Sequence, residues 1–135
     1  MRIVGDTNVL VSGVLFLGYP RQILIKIAQG EVVNFTSPAL LREAEDVLLR
    51  PKFGLDPNQV SSIIALFRDT FELVHPARRV NVITDDPSDN MVLETAQEAA
   101  ADRIVSGDKH LLDLKEWKGI RVVSPAEFMG EIEGR

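Results

Sequence analysis

Ile3-Val4-Gly5-Asp6 and, far downstream, Ile104-Val105-Ser106-Gly107-Asp108 follow one pattern: a short apolar run, a small residue, then an aspartate. A parallel strand buried on both faces reads as such a run. Open α/β sheets carry their chemistry just beyond the carboxyl ends of those strands. If the two runs are neighbouring strands, two carboxylates meet at one spot. Like charges that close are costly without a cation between them. An all-oxygen cluster suits Mg²⁺ or Mn²⁺. The pattern therefore points to metal-dependent chemistry on phosphodiesters.

The rest of the chain alternates strand and helix signals around these two runs. Residues 2–6 read as the first strand. Pro20 opens a helix striped by Ile23, Leu24 and Ile27, and Gly30 stops it. Residues 32–35 form the second strand. Ser37 caps a helix with Pro38 in its first position and Leu40, Leu41, Ala44, Val47 and Leu48 on its apolar face. Asp56-Pro57-Asn58-Gln59 is a capping-box start for a helix carrying Val60, Ile63, Ile64, Phe67 and Phe71. Residues 72–75 read as a short strand ended by Pro76. Asp86-Pro87-Ser88-Asp89 supplies a cap, a first-turn proline and a first-turn acid to a helix whose inner face holds Val92, Leu93, Ala96, Ala99 and Ala100. Residues 103–106 are a strand, Asp108 caps a short helix with Leu111 and Leu112, and residues 120–123 are the last strand. Ser124-Pro125-Ala126-Glu127 starts a terminal helix, and residues 130–135 are expected to fray. This order predicts a three-layer α/β/α fold, a central parallel sheet with right-handed crossovers and helices on both faces. A length of 135 residues predicts one domain over 1–135.

Bulk composition narrows the chemistry. The 0 cysteines exclude disulfides, thiolate zinc and a cysteine nucleophile, and fit a cytoplasmic protein. No apolar run is long enough to span a bilayer, and the first residues enter a strand at once, so neither a membrane span nor a signal peptide is expected. A net charge of −5 argues against binding nucleic acid through overall charge. A nuclease stays open, because bound divalent ions reverse the sign around their ligands. Arg42, Arg50, Lys52, Arg78, Arg79 and Lys109 could form a local basic rim, or simply be solvated surface charges.

The acids carry the functional reading. Asp6 alone is explained as a helix N-cap, but that does not explain the same arrangement at Asp108. Gly107 opens the backbone beside Asp108 to a metal or phosphate, and Ser106 can hydrogen-bond a neighbouring carboxylate or bound water. Asp85, Asp86 and Asp89 crowd one turn. Asp86, before Pro87, reads as the cap, whereas Asp89 shares the inward face of Val92 and Leu93 and reads as the third ligand. Glu43 lies at the edge of its helix's apolar stripe, where a glutamate equally marks the start of the wet face. The only histidines are His75 and His110. Neither has the partners of a triad, and His110 is near enough to Asp108 to touch substrate. There is no phosphate-binding G-x-x-x-x-G-K-[ST] and no G-x-G-x-x-G. Trp117, Phe67 and Phe71 read as packing residues.

At these positions the chain resembles the PIN-domain ribonucleases, above all the small bacterial and archaeal members described as toxins of toxin–antitoxin pairs. The resemblance runs nearly end to end. It rests on Asp6-Thr7-Asn8-Val9-Leu10, on Ser37-Pro38 with Glu43 and Val47-Leu48, on Asp86-Pro87-Ser88-Asp89-Asn90, on Ile104-Val105-Ser106-Gly107-Asp108 and on Val122-Val123-Ser124-Pro125. It implies a PIN-like fold and a Mg²⁺ or Mn²⁺ site made by Asp6, Glu43, Asp89 and Asp108. Asn8 and Ser106 then orient the carboxylates. Many relatives carry a further acid where this chain has His110, so the hold on a second metal is weaker here. The implied activity is hydrolysis of single-stranded RNA, with a small antitoxin protein as partner and self-association into a dimer. Two rival readings are a phosphatase using Asp6 as nucleophile and a non-catalytic partner-binding module. The phosphatase would need an acid where this chain has Asn8, which cannot exchange a proton in that role.

Overall fold

The computed structural model describes residues 1–83 and 86–134. Strand β1 (Arg2–Gly5) runs into helices α1 (Thr7–Leu15) and α2 (Tyr19–Ala28). Strand β2 (Val33–Thr36) is followed by α3 (Pro38–Leu48), a 3-10 turn at Pro51–Phe53 and α4 (Pro57–Thr70). After β3 (Glu72–Leu73) the next helix or strand among the described residues is α5 (Asp89–Ala99). Then come β4 (Arg103–Val105), α6 (Lys109–Leu112), β5 (Glu116–Trp117), β6 (Ile120–Val123) and α7 (Pro125–Ile132). The strands form one sheet in the order β3-β2-β1-β4-β6-β5.

The runs ending at Asp6 and Asp108 are neighbours in the sheet. β1 and β4 pair in parallel with Gly5 opposite Val105, so their carboxyl ends lie side by side. Alternation along each strand sends residues to opposite faces. Ile3, Val105 and Val123 enter a core with Val9, Ile23, Leu41, Ile64 and Phe128, which come from α1, α2, α3, α4 and α7. Val4, Ile104 and Val122 enter a second core with Val92, Leu93 and Leu111, from α5 and α6. These are the predicted three layers.

The anticipated caps are present. Ser37 Oγ accepts from the Leu40 amide at 3.3 Å. The Asp56–Gln59 box closes at 2.9 and 2.8 Å, and the Ser124–Glu127 box at 3.2 and 3.1 Å.

Helix α7 continues through residues 130–132, which were expected to fray, and the structure corrects the reading in three further places. The sheet is parallel except at its edge, where β5 pairs antiparallel with β6. Lys118 (φ 50°) and Gly119 (φ 81°) connect them. Two residues with positive φ make a tight hairpin turn, and so short a link can join only antiparallel strands. Second, α1 fills Thr7–Leu15, a stretch to which the sequence pattern assigns no helix beyond the possible cap at Asp6. Val9, Leu10 and Val11 are all buried, so the helix shows no stripe to betray its period. Third, Asp86 does not cap α5, which begins at Asp89 with Ser88 in the capping position. Asp86 Oδ1 instead accepts from the Ser88 hydroxyl at 2.6 Å and the Ser88 amide at 3.1 Å. A tighter turn precedes the helix, with the Asp89 and Asn90 amides bonded three residues back, to Asp86 O and Pro87 O.

The irregular segment before that turn is held by side chains of α5. The Ala77 amide donates to Glu98 Oε1 (2.9 Å) and the Val80 amide to Glu94 Oε2 (3.0 Å). Asn90 Oδ1 accepts from Val82 and Ile83 at 3.0 and 2.9 Å, and its Nδ2 donates to Ile83 O at 2.7 Å. Asn90, Glu94 and Glu98 stand four residues apart, on one helix face, and guide the chain toward Asp86. Asp85 of the expected acidic turn lies outside the described residues. Among those residues no single helix is long and apolar enough to cross a membrane.

Candidate metal centre

Each acid reaches the sheet's carboxyl edge by a local rule. Asp6 follows β1 and caps α1, its Oδ1 accepting from the Val9 amide at 2.8 Å. Its other oxygen, Oδ2, accepts from the Ser106 hydroxyl. Ser106 Oγ in turn accepts from the Asp108 amide at 2.9 Å. Asp108 caps α6 through the His110 amide, 2.8 Å away. The fully buried serine thus links the ends of the two strands. On the far side of β1, Asn34 Oδ1 accepts from the Gly5 amide at 2.8 Å and fixes the backbone entering Asp6.

Asp89 is the first residue of α5 and is 8% exposed. Its Oδ2 is buried with no hydrogen-bond partner. Asp86, Asp89 and Asp108 each present a carboxylate oxygen, all within 4.8 Å of one another. Oxygens sharing one Mg²⁺ at about 2.1 Å sit roughly 3–4 Å apart. Small side-chain adjustments would bring these three to that spacing. A buried carboxylate oxygen without a donor is costly, and a divalent cation supplies what it lacks. The donor set, three hard oxygens and no nitrogen or sulfur, fits Mg²⁺ or Mn²⁺.

The electrostatics follow from this crowding. Burial raises the Asp89 carboxyl to about 7, with the charges of Asp108 and Asp86 adding to it. Burial also raises Asp6. The Ser106 hydroxyl and the Val9 amide oppose that rise, while the charge of Asp108 reinforces it. Glu43, half-buried on α3, is raised by burial and then by the charges of Asp86 and Asp6. The neighbouring Thr7 hydroxyl and the Arg50 guanidinium pull it the other way. Glu43 is thus within reach of the charges of Asp86 and Asp6, although it stands outside the three-carboxylate set.

Asp89, Asp108, Asp6 and Ser106 thus meet where the two strands end. Asp86, read as a cap, contributes a carboxylate to the cluster. It stands in the tight turn before α5, outside the helix, so helical spacing gives no clue to its place. Asn8 is exposed on the first turn of α1, and it favours the charge on Asp6 through its backbone N–H. His110 is exposed at the start of α6 and reaches Asp108 through its backbone amide. The sequence assigns no role to Asn34, nor to Asn90 beyond its place in the Asp86–Asn90 motif. A polar residue inside Val32-Val33-Asn34-Phe35 was the only signal for the first of them.

The family model described as PIN domain matches residues 2–110. The chain belongs to the PIN-domain family. All four acids expected from the resemblance, together with Ser106, lie inside the matched residues, while β6 and α7 of this PIN-domain chain lie beyond them. The chain is 31% identical over 145 residues to the uncharacterized protein MJ1680 of Methanocaldococcus jannaschii, covering 98% of this chain and 92% of the relative. Among solved structures it is similar to VapBC2 from Rickettsia felis, crystallised bound to a DNA fragment from their promoter. The TM-score is 0.65 at 14% identity, covering 92% of this chain and 98% of that one. At that identity the likeness is one of fold.

Proposed function

We propose that this PIN-domain protein is a Mg²⁺- or Mn²⁺-dependent endoribonuclease that hydrolyses phosphodiesters of single-stranded RNA. The observation that carries the reading is the convergence of Asp86, Asp89 and Asp108 beside the Asp6–Ser106 link. PIN domains are generally nucleases. The resemblance drawn from the motifs, with a VapBC2 complex as fold neighbour, supports a toxin role opposed by a small antitoxin protein. Residues 1–135 would then form a single domain, acting as a dimer in the cytoplasm.

Asp6, Asp89 and Asp108 would hold the ion, joined by Asp86, with Glu43 as a further ligand or as the base. When bound, Mg²⁺ or Mn²⁺ supplies Lewis acidity toward water and the phosphate oxygens. Glu43, with its raised affinity for a proton, is suited to take one from the attacking water. Ser106 donates to Asp6 and accepts from the Asp108 amide, so it holds two carboxylates in register with one hydroxyl. Gly107 leaves open space beside them, where a phosphate can approach the backbone.

The test is cleavage of a labelled single-stranded RNA with Mn²⁺ added. Fragments should form, vanish with EDTA, and fall roughly a hundredfold or more in Asp108→Asn. Release of phosphate from a small phosphomonoester without RNA cleavage would favour the phosphatase. Failure to bind Mn²⁺ in calorimetry would leave a non-catalytic module.

A further inference from the structure

Beside the acidic cluster lies a groove of about 440 Å³ with the opposite character. It begins at Asn8, two residues after Asp6, and runs between the end of α1 and the 3-10 turn after α3. Phe16 and Phe53 form its walls, and Arg50 and Lys52 its cations. Phe16 is 55% exposed, so its side chain is open to a ligand. The two rings are tilted at 58°, with centroids 6.4 Å apart. Lys52 Nζ lies 5.1 Å from the Phe53 centroid. Neither Arg50 nor Lys52 is held in a salt bridge among the described residues. Arg50 is nevertheless close enough to Glu43 to favour its charged form, so the groove and the acids adjoin.

We infer that this groove is the track for the RNA strand next to the scissile phosphate, its bases stacking on Phe16 and Phe53 and its backbone phosphate meeting Arg50 and Lys52. The inference rests on the nuclease reading and adds where the substrate lies. Aromatic faces with neighbouring cations are how single strands are gripped without regard to sequence, since every base has a π-face. In a chain of net charge −5, two cations that hold no salt bridge among the described residues, beside a cluster of carboxylates, mark the place where a polyanion can lie. Strands with unpaired bases can use the rings, whereas a duplex keeps its bases stacked on one another.

The experiment compares wild type, Lys52→Glu and Phe16→Ala. Both substituted side chains are exposed, and an unchanged Tm confirms folding. Binding of a labelled oligouridine is read by fluorescence anisotropy, Mn²⁺ binding by calorimetry, and cleavage as kcat and KM. Each variant should bind RNA about fivefold or more weakly, with KM raised, kcat kept and Mn²⁺ binding unchanged. A duplex of the same length should compete poorly with the oligouridine. Unaltered RNA affinity in both variants, with wild type cutting RNA normally, would overturn the track and leave the nuclease standing. A wild type that neither binds nor cuts RNA would remove both.

Discussion

Asp89 shows how one side chain couples stability to function. Its carboxyl is raised to about 7, first by burial and then by Asp108 and Asp86. A group that holds its proton more tightly folded than unfolded favours folding at low pH. That advantage is complete below the ordinary carboxyl value of 3.8, and is lost as pH climbs through about 7. Asp6 and Glu43 are raised as well and act in the same direction. In EDTA the protein should therefore melt lower at pH 8 than at pH 5, and Asp89→Asn should flatten that dependence. At pH 8 in EDTA the variant should melt about 3 °C or more above wild type and fail to cleave RNA. A lower melting point with activity kept would show that the cluster is misassigned. Asp6 and Asp108 were legible in the sequence because a strand end followed by a capping acid is a local pattern. Asp86 was not, because its place depends on a tight turn whose geometry no periodicity encodes.

Helix α1 shows where pattern reading stops. Its consecutive buried Val9, Leu10 and Val11 leave only a narrow polar side at Asn8 and Ser12. Gly13 is needed for a reason only packing reveals: a Cβ there would lie 2.5 Å from Leu24 Cδ1 and 2.9 Å from the Pro20 carbonyl oxygen. Gly13→Ala should destabilise the protein by about 1–3 kcal/mol despite alanine's better helix propensity, read by urea melts. A stabilised variant would mean that α2 can shift at no cost. The helices α3, α4 and α7 were plain in the sequence because each pairs a cap with a proline in the first turn. The segment before Asp86 was not, since its hydrogen bonds go to Asn90, Glu94 and Glu98 rather than to a neighbouring strand.

For the molecule as a whole, acids that follow β1 and β4, the first residue of α5 and the turn before α5 converge only in the folded chain, so a cation should bind the native state far better than the unfolded one. Mn²⁺ at a hundred times its dissociation constant should add about 2.7 kcal/mol of stability, seen as a rise in Tm. The rise should be much smaller in Asp89→Asn. Equal rises would place the ion elsewhere.

The sequence by itself determined the class of fold, the strand ends and the acids that follow them. Burial, capping and strand termination are written in residues a few positions apart. Only the tertiary structure decided which strands are neighbours, that Asp86 joins the cluster, and that Arg50 and Lys52 lie beside it. Those outcomes depend on contacts between residues distant in the chain, where side-chain packing and the parallel pairing of β1 with β4 set the distances.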